Sequence, residues 1–474
     1  MSKINKRLIL IFVCIAIFSI LVGCNKSEYL FNGLVIPSKN NLLKLKSSFQ
    51  ISDEDIHSFL DENQTVEKQL EVFRNISYDV KYNKYRIIDK KAAEEDIDFY
   101  FQTLKDCYAG YIPNGGEEKF EAVKTSIKSE IPNEISTIEF EEILKSNMSF
   151  VKDAHFMIGG NINLTTNPWY IVYNINIGKD NKGYYDISNG KYIKNKDEIE
   201  SFLRPSLSED NSLQYKLFSQ DVTILPLKIE YKDGGALDLK HTPIYSKYNA
   251  DSDVDFKEFG KVQYLKFPRF FHPNEGDKIK EILDAIDKMS KSEYGILDLR
   301  GNAGGNAILV DQIFQHYTGE NVLYSSDAIY ILNPDAFEYS ENGQTWEEYI
   351  KYSNAEIYDD NHAIERHSKK TIHKDGLLIV LTDGATVSAG EKLVDALHHI
   401  DNTIFIGMPT MGCANGSMLC VLPMKNSGIN FSFGNIWNVF NEDYFQEYRG
   451  FLPDIWVSDV EVEGLAELLN SYSN

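Results

Sequence analysis

The chain has 474 residues, 43% hydrophobic and 12% aromatic, with 71 acidic side chains against 48 basic ones and a formal net charge of −23. That apolar share can bury sizeable cores, which excludes a disordered chain and suggests two or three globular domains. The charge repels phosphate backbones and anionic headgroups, which argues against a nucleic-acid partner and against a basic membrane-binding patch.

Lys3, Lys6 and Arg7 precede an uncharged apolar run from Leu8 to Val22, and Gly23-Cys24 follow. This order is that of a secretory signal. Leu21-Val22-Gly23-Cys24 resembles a bacterial lipobox, which implies that residues 1–23 are a lipoprotein signal peptide and that Cys24 is lipidated and becomes the mature N-terminus. An uncleaved anchor helix is the alternative, although the run is short for a span. Either way the remainder is expected outside the cytoplasm, anchored to the cell membrane. Without the three signal cations its charge is −26, so the lipid and not a basic patch must hold it there. Besides Cys14 and Cys24, only Cys107, Cys413 and Cys420 remain, an odd set without a disulfide framework. Cys413 and Cys420 could pair across a hairpin or stay as two buried thiols.

Residues 24–90 are polar and weakly periodic, as expected of a lipidated cysteine, a spacer and a small N-terminal segment. Residues 91–160 read as a helical module: Ile97, Phe101, Leu104 and Tyr108 fall at helical spacing, Pro113-Asn114-Gly115-Gly116 interrupts it, and Phe120, Val123 and Ile127 resume it. A third helix covers Ile138–Met148, and the module ends at Asp153-Ala154-His155-Phe156. Residues 161–250 read as a small β-rich domain, with strand-like runs at Trp169–Asn174, Gly183–Ile187 and Val222–Ile229 between Asn-Gly and Asp-Gly-Gly turns. From 255 to 465 strands alternate with helices. Val262–Phe267, Tyr294–Leu299, Leu377–Leu381 and Thr403–Ile406 are strands, and helices cover Ile279–Met289, Ile308–Tyr317 and Ser388–His399. Such alternation predicts a mostly parallel sheet with the site in the loops at its strand ends.

Two of those loops carry chemistry. The apolar run Leu377–Leu381 delivers Ser388 to a helix start between small neighbours, Ala389 and Gly390, where first-turn N–H groups could stabilise an oxyanion. Ser388 with Glu391 three residues on also fits a capping box, and the segment alone favours that cap. Asp298-Leu299-Arg300-Gly301-Asn302-Ala303-Gly304-Gly305 is a glycine-rich turn into a helix, but it lacks a Walker lysine and G-x-G-x-x-G spacing. The remaining use of a bare glycine backbone is to aim N–H groups at a substrate oxygen.

Taken in order, Asp153-Ala154-His155, the DLRGNAGG run, Thr386-Val387-Ser388-Ala389-Gly390-Glu391, Gly407-Met408-Pro409-Thr410-Met411-Gly412 and Gly450-Phe451-Leu452-Pro453-Asp454 resemble the S41 peptidases, the tail-specific and tricorn-type serine proteases. The resemblance spans roughly residues 92–460. It implies an α/β chain with a ClpP/crotonase-like catalytic core over 255–465, an N-terminal helical module, and a β-rich domain inserted where many members carry a PDZ domain. No carboxylate-binding glycine-hydrophobic loop is evident there, so the resemblance to tail-specific proteases leaves open whether this domain binds C-terminal tails.

Carried across residue by residue, the resemblance makes Ser388 the nucleophile and assigns the oxyanion hole to the N–H of Ala389 and the Gly304-Gly305 turn. Tail-specific members place a lysine in the loop after T-x-G, where this chain has Cys413, so a Ser–Lys dyad is not expected. Cys413 marks either a histidine-based member or a chain whose catalytic power has decayed. Tricorn-type members use a histidine from the helical region and an acid before G-x-x-P-D, and His155 and Glu447 occupy those places. The expectation is a Ser388–His155–Glu447 triad that works through an acyl-enzyme. Singly, each residue has a plainer reading: His155 in a hydrogen-bonded turn, Glu447 as a surface acid, Asp153 as a turn cap, Arg300 paired with Asp298. Lys425 is a fallback base.

The implied function is a membrane-anchored extracytoplasmic serine endopeptidase acting on peptides or unfolded proteins, with no oligomeric state specified. The alternative is an inactive surface lipoprotein on the same fold that binds a peptide or apolar ligand. No metal or organic cofactor is implied: His362, His367 and His373 lack i, i+4 spacing and read as a solvated loop. His398-His399 suits a helix C-terminus, and Tyr264, Phe267, Phe270 and Phe271 could line a substrate cleft, although core packing is the commoner reading.

Overall fold

The computed structural model describes residues 58–60, 82–159, 170–208, 212–220, 228–246, 253–332, 355–359, 361–366 and 370–471. The expected signal peptide, Cys24, His367 and most of the expected strand at 222–229 lie outside the described residues.

Helices α1 (Lys90–Cys107), α2 (Gly116–Glu130) and α3 (Thr137–Asn147) form the helical module. The Asp89 side chain accepts from the N–H of Ala92 to start α1, and Gly115 and Gly116 take positive φ values of 111° and 59° that redirect the chain into α2. The stripe Ile97, Tyr100, Phe101 and Leu104 is buried together with Phe431, Phe433 and Trp437 from a distant β-hairpin. This shared core fixes the module, and the His155 segment behind it, to the rest of the molecule.

The β-rich region is an antiparallel sheet ordered His241–Ile244, Tyr170–Tyr173, Leu213–Ser219, Ile177–Asp180, Gly183–Asp186, with Leu203–Leu207 beside Leu213–Ser219. It reaches the remainder through the Ser206 hydroxyl, which donates to the Trp456 carbonyl (2.6 Å), and through Gln220, whose amide donates to the Tyr448 carbonyl (2.6 Å).

The core sheet runs β1 (Asp255–Phe259), β2 (Val262–Lys266), β3 (Tyr294–Asp298), β6 (Leu377–Thr382), β7 (Thr403–Gly407), β10 (Ile455–Trp456). The β1/β2 pair is antiparallel and the other pairs are parallel, joined by crossovers that include α4 (Gly276–Met289), α5 (Ala307–Thr318) and α6 (Ala389–Leu397). Strand β6 explains its own apolar run: Leu378 and Val380 pack with Ile282, Leu309 and Leu393 of these helices, while Leu377, Ile379 and Leu381 pack with Leu465 and Leu469 of α7 (Val462–Ser471) on the opposite face. Burial on both faces contributes about 1.5–3 kcal/mol per large aliphatic side chain. This is the α/β core with a helical module and a β-rich insert that the sequence implied.

A second, antiparallel sheet orders β5 (His362–Glu365), β4 (Asp327–Ile331), β9 (Asn430–Val439), β8 (Gly416–Pro423), with Glu356–Ile357 beside β5. Met157–Ile158 pairs with Phe431–Ser432 of β9, so His155 is led into the core by a strand. His362 departs from the solvated loop expected of it: it pairs with Ile331, is 2% exposed, and its ring meets Asp359 at 2.9 Å. His373, 72% exposed, meets Asp401 at 2.7 Å. Among the described residues no group of three potential ligands could hold a metal. Cys107, Cys413 and Cys420 are buried free thiols, and Tyr264, Phe267, Phe270 and Phe271 are buried in the core.

Candidate active site

Ser388 stands between β6 and α6 at φ 53°, one of two non-glycine residues with positive φ among those described. Such a conformation costs about 1–3 kcal/mol unless the surroundings enforce it. They do so here through bonds between the two strand-end loops. The N–H of Val387 donates to the Asn302 carbonyl (3.1 Å), the Thr386 hydroxyl to the Leu299 carbonyl (2.8 Å), and the N–H of Gly301 to Asp383 (3.0 Å). Glu391 accepts from the N–H of Ser388 (3.2 Å), as the cap reading expected, while the Ser388 hydroxyl meets Nε2 of His155 at 3.0 Å.

The glycine turn is built for close approach. A Cβ on Gly304 would lie 2.8 Å from Ser388 Cβ, and one on Gly305 2.3 Å from the Phe270 carbonyl oxygen. Asn302 Oδ1 already accepts the Gly304 N–H (3.0 Å). Bonds from Phe270 N–H to the Gly304 carbonyl (2.8 Å) and from Asn306 N–H to the Phe270 carbonyl (3.1 Å) pin both sides of Gly305. Among the described residues no hydrogen bond takes the N–H of Gly305 or of Ala389, the first residue of α6. The oxyanion role expected of the whole turn therefore narrows to Gly305 and Ala389.

His155 is held by an Asp153 carboxylate that accepts its backbone N–H (2.9 Å) and the Tyr108 hydroxyl (3.0 Å), and by the Ser432 hydroxyl, which donates to its carbonyl (3.0 Å). Burial pushes the imidazole down to about 4, the Lys392 charge adds to this, and a backbone hydrogen bond to Gly416 opposes it. At neutral pH the ring is uncharged and able to accept the serine proton. In the tautomer whose Nε2 accepts, Nδ1 bears the hydrogen, and Cys413 Sγ lies 3.3 Å from it. Burial, and then the nearby Glu447, push the Cys413 thiol well above its ordinary range, so it is neither thiolate nor nucleophile.

Glu447 differs from the ring contact expected of it. Its carboxylate accepts backbone N–H groups from Ala154 (2.8 Å), Ala414 (3.3 Å) and Asn415 (3.1 Å), and among the described residues no hydrogen bond joins it to the imidazole. These donors occupy its oxygens, and it ties the histidine's segment to the Cys413 loop. Burial, then the Asp153 charge, raise its pKa well above the usual range, and burial raises Asp153 to about 6. Lys425 is exposed in the β8/β9 turn, away from this site. Arg300 pairs with Asp298 through Nε (2.9 Å) and Nη2 (2.7 Å).

In the sequence Glu391 is a cap residue and a motif letter, with no further role expected of it. It is fully buried and also accepts the Thr410 hydroxyl (2.6 Å) and the N–H groups of Gly412 (2.8 Å) and Cys413 (2.7 Å). It thus joins the serine turn to the loop beneath His155. Asn302, which both bonds Gly304 and anchors to the Phe267 carbonyl (3.0 Å), was likewise visible only as a motif letter.

Residues 261–457, which carry the serine and glycine turns and Glu447, match the sequence model of Peptidase family S41. Over that stretch the α/β core is similar to the family. Solved structures similar to this chain include mature CPAF (15% identity, TM-score 0.42, 80% of this chain and 96% of that one) and the photosystem II D1 C-terminal processing protease (14%, 0.39, 80% and 98%). A lipoprotein from Streptococcus agalactiae is a third (12%, 0.39, 80% and 96%). No curated protein matches the sequence. The match supports a serine-peptidase type of protein, a type whose substrates are peptides or proteins.

Proposed function

We propose that the protein is a serine endopeptidase that cuts peptides or unfolded proteins outside the cytoplasm, anchored to the membrane through lipidated Cys24. The observation that carries the catalytic part is the 3.0 Å approach of Ser388 Oγ to a neutral, buried His155, beside two N–H groups that nothing else takes. Ser388 Oγ attacks the scissile carbonyl as its proton passes to Nε2, and the oxyanion forms against Gly305 and Ala389. His155 returns the proton to the leaving amine, then deprotonates the water that releases the acyl group. Glu447 serves the triad as a positioning residue, through the backbone of Ala154 and the Cys413 loop. A non-catalytic binder would not need the serine and histidine in contact, and their separation favours the enzyme.

The anchoring part rests on the sequence at 21–24. Incubation with reduced, unfolded casein, read by mass spectrometry of new termini, tests the activity. Internal cuts by the wild type that vanish in Ser388→Ala support it, and cuts that persist in the variant remove the proposed nucleophile. Incorporation of labelled palmitate that is lost in Cys24→Ala tests the anchor.

A further inference from the structure

A cavity of about 530 Å³ is lined in part by residues that follow each proposed oxyanion donor. Ala307 and Ile308 begin α5 just after the Gly304-Gly305 turn, and Lys392 lies one helical turn beyond Ser388, its N–H donating to the Ser388 carbonyl (2.9 Å). The two segments that carry the Gly305 and Ala389 N–H groups thus run directly into the cavity lining.

The lining combines apolar walls with an unequal set of charges. Ile308, Val322 and Phe440 provide apolar surface, and three carboxylates, Asp311, Glu365 and Asp395, face one ammonium, Lys392. Each carboxylate is fixed by a phenol: Tyr324 donates to Asp311 (2.7 Å), Tyr330 to Glu365 (2.5 Å) and Tyr444 to Asp395 (2.6 Å). The Lys392 ammonium sits 5.8 Å over the Tyr324 ring. Burial lowers its basicity, and all three acids oppose that shift through space without cancelling it. The cavity is thus acidic at its head groups, with walls that mix apolar surface with neutral polar side chains such as Gln312 and Gln315.

We propose that this cavity is the specificity pocket of the enzyme and takes the lysine or arginine side chain of the residue whose carbonyl Ser388 attacks. The methylene stem lies along the apolar walls while the cation reaches the carboxylates. A glutamate there meets three like charges for one opposite charge, and a leucine desolvates the acids without replacing their water.

The inference rests on the peptidase reading above, and its test separates the two. Three peptidyl diphenyl phosphonates, identical except for lysine, leucine or glutamate at that residue, are compared with a small fluorophosphonate. In each, Ser388 Oγ attacks phosphorus, the P–O bond to one phenoxide breaks, and the serine proton leaves with the phenol through His155. The wild type is expected to react at least about tenfold faster with the lysine probe than with either other. In Asp311→Asn/Glu365→Gln the lysine-to-leucine rate ratio falls toward one; because this ratio is taken within one protein, partial unfolding does not alter it. Lys392→Met, which removes the competing cation, raises the lysine-to-glutamate ratio. Equal or faster reaction with leucine or glutamate in the wild type, an unchanged ratio in the double variant, or fluorophosphonate labelling with no reaction of any phosphonate overturns the pocket alone. Absence of labelling by every probe overturns the peptidase reading, and the pocket with it.

Discussion

Cys413 Sγ lies 3.3 Å from Nδ1 of His155, on the imidazole whose Nε2 meets Ser388. Where the resemblance places the tail-specific members' lysine, this chain has a buried, uncharged sulfur packed against the imidazole proposed as the base. A lysine in this place would put an ammonium among buried groups and against a ring that must itself gain a proton.

Cys413→Ala, which removes the sulfur but no charge, is expected to keep turnover within about threefold, since the thiol takes no part in proton transfer. Cys413→Lys is expected to lower it by about two orders of magnitude or more. Steady-state kinetics on a peptide cut by the wild type checks both. A Lys variant with full activity would mean that the site tolerates the dyad arrangement.

The pH dependence follows from the directions of the shifts. His155 is depressed from 6.5 to about 4, so the acid limb of kcat/KM is expected near pH 4. Lys392→Met removes a charge that depresses the ring and moves the limb upward. For stability the signs differ by group. The depressed imidazole contributes stability that is lost as pH falls from 6.5 toward 4. Glu391, raised from 4.5 to about 7, contributes stability that is present below 4.5 and lost as pH rises through 7. Between pH 6.5 and 7.5 the Glu391 effect outweighs the fading histidine effect, and calorimetry is expected to show Tm falling over that interval.

Glu391→Ala leaves the N–H groups of Gly412 and Cys413 and the Thr410 hydroxyl without their acceptor in a fully buried site. At about 1–3 kcal/mol for each orphaned donor, urea unfolding is expected to show a loss of roughly 3 kcal/mol or more. Serine labelling should fall as well, because the turn that holds Ser388 at φ 53° is released. A change below about 1 kcal/mol would show that other contacts hold the two loops.

Gly305→Ala introduces a Cβ 2.3 Å from the Phe270 carbonyl oxygen at φ 128°, so the turn must move. Loss of one oxyanion donor is expected to reduce kcat by about 10²–10³ with little change in KM. A KM effect alone would place Gly305 in substrate binding only.

The strand-to-serine segment was legible because Leu377–Leu381 is buried on both faces and small residues follow; the strand and helix limits agree with expectation to within two residues. His155 was legible only through the order of motifs, since a strand pairing with β9 brings it to Ser388 from far along the chain. The partners of Glu447 were not legible, because they are backbone N–H groups, which no side-chain pattern encodes. Glu391 read as a local cap because three of its donors arrive from the Thr410–Cys413 loop. His362 read as a loop because its strand partner, Ile331, lies across a long connection. Lys392 and its acids drew no notice for a similar reason: they are spread over α5, β5 and α6, which only the fold assembles.

The central claim, that Ser388 is a nucleophile activated by His155, is tested most directly by rates of labelling with a small fluorophosphonate in the wild type, Ser388→Ala and His155→Ala. The account predicts labelling of the wild type, none in Ser388→Ala, and a rate reduced by about 10³-fold or more in His155→Ala. Labelling that survives Ser388→Ala, or that proceeds at the wild-type rate in His155→Ala, would contradict it.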